Sequence, residues 1–259
     1  MANNHPIGLF DSGIGGISIY NEIKKTLPLE NTIYIADNLN APYGKKNEEE
    51  IIQLSIKNTQ KLLDLGCKLI VVACNTATTN AIEVLREKFN IPIVGIEPSI
   101  KPAMLKTKTN NIGVLATEKT LSSNLFQKTS SRFSKGINIH EQIGFDLVRI
   151  IEENGINDEL LNLKLKGYIQ PMLSYNIDHL VLGCTHYYFL KDILKSILPS
   201  EVKILDSTKA VSNRVQHLLN EYNISSNTST ARNIFLYTGN DNVIRKFLSS
   251  EDKISRIST

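Results

Sequence analysis

Residues 69–76 read LIVVACNT, an unbroken apolar run followed by a cysteine and two hydrogen-bonding residues. Such a run is typical of a strand buried on both faces of a sheet. The turn Cys74-Asn75-Thr76 offers the polar side chains with which helices begin, and residues 81–89 have helical periodicity. A strand, a polar turn and a helix in this order predict a parallel sheet with crossover helices.

The same unit recurs at least four more times along the chain. Its apolar runs are residues 7–10, 112–115, 180–182 and 202–205, and each leads into a turn that contains Ser, Thr or Asp. A further helix is predicted from about Asn47 to Gly66, with its apolar residues on one face. The fold class predicted is therefore α/β.

Two pairs of landmarks suggest an internal duplication. IGLFDS at residues 7–12 resembles IGVLAT 105 positions later, and CNT at 74–76 resembles CTH 110 positions later. Generic turn chemistry could also produce such similarity by chance. Duplication predicts two similar open parallel-sheet α/β domains related by a pseudo-twofold axis. We assign residues 1–97 plus 207–259 to the first, which carries Cys74, and 98–206 to the second, which carries Cys184.

Composition limits the function classes. The 259 residues are 41% hydrophobic and 21% charged, as in an ordinary folded protein, and 29 basic against 26 acidic residues give a net charge of +3. The basic residues form no patch, so the composition does not predict nucleic acid binding. The net positive charge is compatible with a small anionic ligand. The apolar runs are far shorter than the ~20 residues of a membrane-spanning helix, and no signal peptide is apparent, so we expect a cytoplasmic protein without a membrane partner.

Cysteine chemistry is the strongest functional signal from the residues alone. Three cysteines without a C-x-x-C pair predict reduced thiols, and Cys67 reads as a packing residue. Cys74 and Cys184 each end a strand, where helix-start amides would favour a thiolate. Two such thiols across a cleft suit proton removal on one face of a carbon and proton return on the other. His186 is close enough in sequence to orient Cys184.

The glycine-rich turn DSGIGG at 11–16 favours a small zwitterion over a nucleotide. It lacks both the G-x-G-x-x-G order and a G-K-[ST] lysine. Its backbone N–H groups could bind a carboxylate, and Asp11 could bind an ammonium group. The alternative is a structural tight turn in which Asp11 only caps the helix.

Four sequence blocks together resemble the bacterial glutamate racemases of the aspartate/glutamate racemase superfamily. They are DSGIGG (11–16), APYG (41–44), VACNTA (72–77) and LGCTHY (182–187), and the resemblance runs from about residue 7 to 215. It implies interconversion of L- and D-glutamate to supply the D-isomer for peptidoglycan. It further implies an enzyme without cofactor or metal, with L- and D-glutamate as its ligands and a homodimer as its assembly.

The resemblance also implies a set of site residues. Cys74 and Cys184 are the acid/base pair, acting on D- and L-glutamate respectively, with Asp11, His186 and Glu152 as ionisable helpers. Substrate contacts fall on Asp11, Ser12, Pro42, Tyr43, Gly44, Asn75, Thr76, Thr117, Thr185 and His186. The blocks around Glu152 (LVRIIE, 147–152) and at 36–40 (ADNLN) depart from the common pattern.

Three other readings stay open from the sequence. An aspartate racemase would share the fold and the paired cysteines. An amino-acid binding protein would hold the same ligand between passive cysteines. A thiol hydrolase would use Cys184 with His186 and leave Cys74 dispensable.

Overall fold

Two separate parallel sheets form the centre of the molecule. The computed structural model describes residues 3–133, 136–249 and 252–257, and within these ranges the larger sheet has six strands and the smaller four. The strands are β1 (Ile7–Asp11), β2 (Thr32–Ala36), β3 (Leu69–Val72), β4 (Ile93–Gly95), β5 (Asn111–Ala116), β6 (Asn138–Ile143), β7 (His179–Gly183), β8 (Lys203–Leu205), β9 (Asn233–Tyr237) and β10 (Lys253–Arg256). The predicted α/β class with parallel sheets is confirmed.

Helices connect these strands. The described residues form α1 (Ile17–Thr26), α2 (Glu48–Asp64), α3 (Asn75–Lys88), α4 (Ile100–Lys106), α5 (Glu118–Leu121), α6 (Asn124–Phe133), α7 (Leu147–Asn154), α8 (Glu159–Leu173), α9 (Lys191–Ile197) and α10 (Thr208–Glu221). Short 3-10 helices cover Tyr43–Lys45, Thr185–Leu190 and Ile244–Phe247. No helix in the described part of the chain is long and apolar enough to cross a membrane.

Four strands of the larger sheet have the same order as the four strands of the smaller sheet. The larger sheet runs β10-β9-β2-β1-β3-β4 and the smaller runs β6-β5-β7-β8. Thus β1 corresponds to β5 and β3 to β7, as the internal sequence similarity predicts. The larger sheet draws its strands from residues 7–95 and 233–256 and the smaller from 111–205. We propose the domain division at 1–97 plus 207–259 and 98–206 on this basis.

Local sequence explains where the helices around the site begin. Cys74 has extended backbone angles, and its sulfur accepts a hydrogen bond from the amide of Ala77, 3.5 Å away. Cys74 is therefore the N-cap, and α3 begins at Asn75, six residues before the predicted start. At the start of α2, Asn47 and Glu50 form a reciprocal capping box.

One hydrophobic core joins the two sheets. The largest buried cluster contains Leu9 and Tyr34 from the larger sheet together with Leu115 and Leu182 from the smaller. Because this core is continuous, the sheets hold the carboxyl ends of their central strands close to each other. That arrangement positions the candidate site.

Candidate active site

The site lies where β1 and β3 of one sheet face β5 and β7 of the other. In each sheet these central strands are neighbours, and the crossovers that follow them lead in opposite directions. In open parallel sheets ligands bind at such a switch point, beyond the carboxyl ends of the strands. Here β1 leads into Ser12, β3 leads into Cys74, β5 leads into Thr117 and β7 leads into Cys184.

A small cavity lies between these strand ends. It measures about 10 Å³, room for roughly one water molecule. Both sulfur-bearing residues line it, together with residues from the glycine-rich turn and the loop after β2. The full lining is Ser12, Pro42, Tyr43, Gly44, Cys74, Asn75, Thr76, Thr117, Val148, Cys184, Thr185 and His186.

Cys74 is held as a thiol. Burial and then the neighbouring carboxylate of Asp11 raise its pKa well above the ordinary value, and the hydrogen bond from the Ala77 amide only partly offsets them. Its sulfur also lies 3.7 Å from the hydroxyl of Ser12. The helix-start amide of Ala77 lies where the sequence predicts and favours the Cys74 thiolate, but desolvation of the charge and the nearby Asp11 outweigh it, so the pKa rises.

Cys184 has a different environment. The strand before it leads into a six-residue 3-10 helix, and its sulfur receives no capping hydrogen bond. The expected helix-start amide is thus missing, and its neighbour is instead His186, whose Nδ1 is 3.8 Å from the sulfur. The other ring nitrogen, Nε2, is 2.5 Å from the carboxylate of Glu152. Cys184, His186 and Glu152 form a continuous chain of polar contacts.

The imidazole of His186 is protonated within this series of polar contacts. Burial alone lowers the pKa of His186, but the hydrogen bonds to Cys184 and Glu152, together with their charges, raise it well above the usual value. A protonated imidazole beside a sulfur stabilises the thiolate. The surroundings therefore distinguish the two thiols: Cys184 faces a cation, whereas Cys74 faces the charge of Asp11.

Glu152 lies outside the cavity and connects the two halves. Besides His186, its carboxylate accepts a hydrogen bond from the amide of Ile14, at 2.7 Å, in the glycine-rich turn. A Cβ atom at Gly13 would collide with this carboxylate, so the turn needs glycine there. The glycine-rich turn thus provides the backbone donor and the space for Glu152.

Asp11 also stands just behind the cavity wall. Its side chain is fully buried, and its two oxygens accept from the amide of Gly13, at 2.7 Å, and from the hydroxyl of Thr185, at 3.0 Å. Burial raises the pKa of Asp11 to about 6, although the charge of His186 opposes the rise. At neutral pH the carboxylate is ionised and lies one hydrogen bond from the cavity.

Hydroxyl groups bridge the two halves on the opposite wall. Thr76 Oγ1 lies 2.9 Å from Thr117 Oγ1, which in turn lies 2.9 Å from Thr120 Oγ1. Gly44 packs against Thr117 from the other side, and a Cβ there would approach the threonine to 3.0 Å. These contacts narrow the cavity on this side and join the two halves across it.

Asn75 keeps one polar atom free. Its side-chain nitrogen donates to the carbonyl of Ile96 at 3.3 Å, while its Oδ1 is buried without a hydrogen-bond partner. A buried acceptor of this kind is costly unless a ligand satisfies it. The atom left over is suited to an N–H donor of a ligand.

Eleven of the thirteen residues predicted from the sequence line the cavity. Asp11 and Glu152 are each one hydrogen bond behind it, through Thr185 and His186. Two residues of the site were not predicted from the sequence. Thr120 follows Thr117 at the spacing of a helix cap, whereas Val148 has no distinguishing sequence signal.

Comparison with known proteins identifies the family. Residues 7–215, most of the chain, match the family described as Asp/Glu/Hydantoin racemase. The chain belongs to the Asp/Glu/hydantoin racemase family. The prediction of a racemase enzyme is therefore confirmed.

Relatives of this racemase extend the comparison to nearly its whole length. The glutamate racemase of Ralstonia pickettii is 40% identical over 234 residues, which are 90% of this chain and 83% of the relative. The crystal structure of a Bacillus anthracis glutamate racemase has a TM-score of 0.89 and 28% identity, covering 99% of this chain and 98% of that one. Escherichia coli glutamate racemase, solved with L-glutamate and the activator UDP-MurNAc-ala, has a TM-score of 0.86 and 31% identity over 98% of both chains.

We expect Glu152→Gln to lower kcat for racemisation roughly a hundredfold, the lower end of the range for general acid–base groups. Removing the charge of Glu152 lowers the pKa of His186, so the loss of activity on the alkaline side should begin at a lower pH. The measurement is a pH profile of kcat. Glu153→Gln, on the same helix but paired with Arg149 at the surface, is the matched control. An unchanged profile in Glu152→Gln would contradict this role.

Proposed function

We propose that this racemase interconverts L- and D-glutamate without a cofactor, with Cys74 and Cys184 as its two bases. The observation that supports the proposal is that Cys74 and Cys184 line the same cavity. They follow the corresponding strands β3 and β7. Its solved relative from Escherichia coli was crystallised with L-glutamate, which supports glutamate as the substrate. The assignment of Cys74 to the D-isomer and Cys184 to the L-isomer follows the family resemblance.

Reaction of L-glutamate begins at Cys184. Its thiolate, paired with protonated His186, removes the α-proton and becomes a thiol. The thiol of Cys74, whose raised pKa keeps its proton in place, donates that proton to the opposite face of the carbon. The product is D-glutamate, and the two sulfurs have exchanged protonation states.

The α-proton of an amino acid is weakly acidic, so the site must stabilise the charge that develops on proton removal. We assign the substrate ammonium group to the side of the cavity next to Asp11. Asn75 Oδ1, which is buried without a hydrogen-bond partner, is a further acceptor for an N–H group. The hydroxyls of Thr76 and Thr117 are donors for the carboxylates. Preorganised donors of this kind in a site closed to water supply much of the stabilisation of a developing anion.

Reversal of the reaction needs Cys74 as the thiolate. Because burial and Asp11 disfavour that state, binding of the substrate ammonium next to Asp11 has to offset the negative charge there. This links ammonium recognition to activation of Cys74. A substrate analogue without the amino group is therefore expected to bind weakly and to leave Cys74 protonated.

The direct experiment incubates L-glutamate with the purified protein and no added cofactor, and follows the enantiomers by chiral chromatography. In D2O, deuterium should enter the α-position of the product. Racemisation without deuterium incorporation would contradict proton transfer, and stereoselective binding without racemisation would favour a binding protein. L-Aspartate is the parallel substrate, and its faster turnover would reassign the specificity.

The biological role that we propose is the supply of D-glutamate for peptidoglycan. The activator named with the Escherichia coli relative, UDP-MurNAc-ala, supports a connection between the relatives and cell-wall precursors. Cytoplasmic location and a homodimer stay predictions.

A further inference from the structure

A second buried carboxylate, Asp37, lies at the end of β2 and takes no part in the chemistry above. It is 1% exposed, and both of its oxygens accept two hydrogen bonds. Oδ1 accepts from Asn40 and Thr238, each at 2.9 Å, and Oδ2 accepts from Tyr43 at 2.5 Å and Asn58 at 3.3 Å. Four donors fill the four lone-pair positions of a carboxylate.

The four donors come from four different parts of the fold. Asn40 belongs to the loop after β2, Tyr43 to the 3-10 helix that follows it, Asn58 to α2, and Thr238 to the segment directly after β9. All four are neutral hydroxyl or amide groups. A buried carboxylate satisfied in this way fixes the relative positions of the segments that donate to it.

Tyr43 connects this carboxylate to the cavity. The residue lines the cavity, and its phenol donates to Asp37 while accepting from Asn58 at 3.1 Å. Burial and then the charge of Asp37 raise the pKa of the Tyr43 phenol, so it keeps its proton and remains a donor. The orientation of Tyr43, and with it the cavity wall formed by Tyr43 and Gly44, therefore depends on where Asp37 is held.

Thr238 holds Asp37 and the adjoining loop at once. Its hydroxyl donates to Asp37 and accepts from the amide of Leu39 at 3.0 Å. Asn38 makes a second connection between the loop after β2 and the segment after β9, because its Oδ1 accepts hydrogen bonds from the amides of Thr238 and Gly239. The segment ADNLN (36–40), which departs from the family pattern, is thus hydrogen-bonded to the loop after β9.

We propose that Thr238, acting through Asp37, is a positioning residue for racemisation: the hydroxyl that follows β9 fixes the Tyr43–Gly44 wall against the substrate. The proposal rests on the proposed function. It gives the part of the chain beyond residue 215, outside the region matched by the family, a role in substrate binding.

The test compares Thr238→Val with Thr32→Val. Thr32 donates to Asn233 Oδ1 at 2.8 Å and so joins β2 to β9 at their opposite ends. Both threonines are buried, at 2% and 1% exposure, and each variant loses one hydroxyl between the same two strands. Thr32→Val therefore controls for lost stability without touching the cavity wall.

We expect Thr238→Val to raise KM for glutamate about tenfold with kcat within about threefold of wild type. A shifted wall weakens binding of substrate and transition state alike, because it carries no group that moves a proton. Thr32→Val should keep the wild-type KM, and Thr238→Ser, which restores the hydroxyl, should return KM to within about threefold of wild type. Circular dichroism establishes that each variant is folded at the assay temperature.

An unchanged KM in folded Thr238→Val, or an equal rise in Thr32→Val, would overturn the positioning role while wild-type racemisation stands. Absence of racemisation in the wild type would instead overturn the proposed function. Should Thr238→Val not fold, Asn58→Ala is assayed against the same criterion, since Asn58 donates to both Asp37 and Tyr43.

Discussion

Replacing Cys74 or Cys184 with alanine is expected to lower kcat/KM for glutamate racemisation by at least about 10³-fold, or about 4 kcal/mol of transition-state stabilisation. Each thiol serves one face of the α-carbon, so neither variant can complete both proton transfers. Since L- and D-glutamate have equal free energies, the loss must be the same in both directions. Chiral chromatography started from each enantiomer measures it.

Exchange of the α-proton separates the two variants. Cys74→Ala keeps Cys184 and should exchange the α-proton of L-glutamate with D2O but not that of D-glutamate, while Cys184→Ala should show the reverse preference. Proton NMR follows both reactions. Cys67→Ala is the matched control, because Cys67 is equally buried but lies beside Gly8, away from the cavity. Full racemisation by either single variant would refute the two-base mechanism.

Asp11→Asn is expected to abolish most racemase activity and at the same time to stabilise the fold. The variant removes the negative charge proposed to face the substrate ammonium group. It also removes a charge that is costly to bury: the pKa of Asp11 rises from 3.8 to about 6 in the folded protein. Compared with the unfolded chain, the folded state favours the protonated carboxyl. The ionised carboxylate at neutral pH therefore lowers the free energy of unfolding by about 3 kcal/mol.

The pH dependence of this gain follows from the same values. Between about pH 4 and 6 the folded protein binds more protons at Asp11 than the unfolded chain, so the contribution of Asp11 to stability falls as pH rises through that window. The advantage of Asp11→Asn should be about 3 kcal/mol at pH 8 and about half of that at pH 5. Urea unfolding at both pH values measures it.

Asp192→Asn, at a side chain that is 93% exposed, is the control for the loss of a carboxylate, and its stability should stay within about 0.5 kcal/mol of wild type. A less stable Asp11→Asn would show that the hydrogen bonds from Gly13 and Thr185 contribute more than the buried charge costs.

The central strands and their turns were predictable from local sequence. Runs such as LIVVA are apolar on both faces because a hydrophobic cluster packs on each side of the sheet, with Leu69 and Val71 in one and Ile70 and Val72 in the other. The polar residues after such runs begin the next segment. Since every such turn falls at the carboxyl edge of its sheet, Cys74 and Cys184 could be assigned to one cleft from their positions alone. The family blocks added the loop at Tyr43.

Long-range pairings were beyond this kind of reasoning. The edge strand β6 reads NIHEQI and is half-exposed, so it has no continuous apolar run, and β9 and β10 lie far along the chain from β2, to whose edge they add. Contacts such as Glu152 with Ile14 and Thr238 with Asp37 join residues 138 and 201 positions apart. Their partners depend on tertiary packing, which no local pattern encodes.

The small volume of the cavity has a consequence for the chemical reactivity of the enzyme. Both cysteines line a space of about 10 Å³, so an oxidant or electrophile larger than water needs the surrounding walls to move before it reaches either sulfur. The rate at which iodoacetamide labels Cys184 therefore counts those openings. A covalent inhibitor aimed at this sulfur is limited by the same opening of the walls. Its rate of reaction depends on how often the walls open as well as on the reactivity of its electrophile.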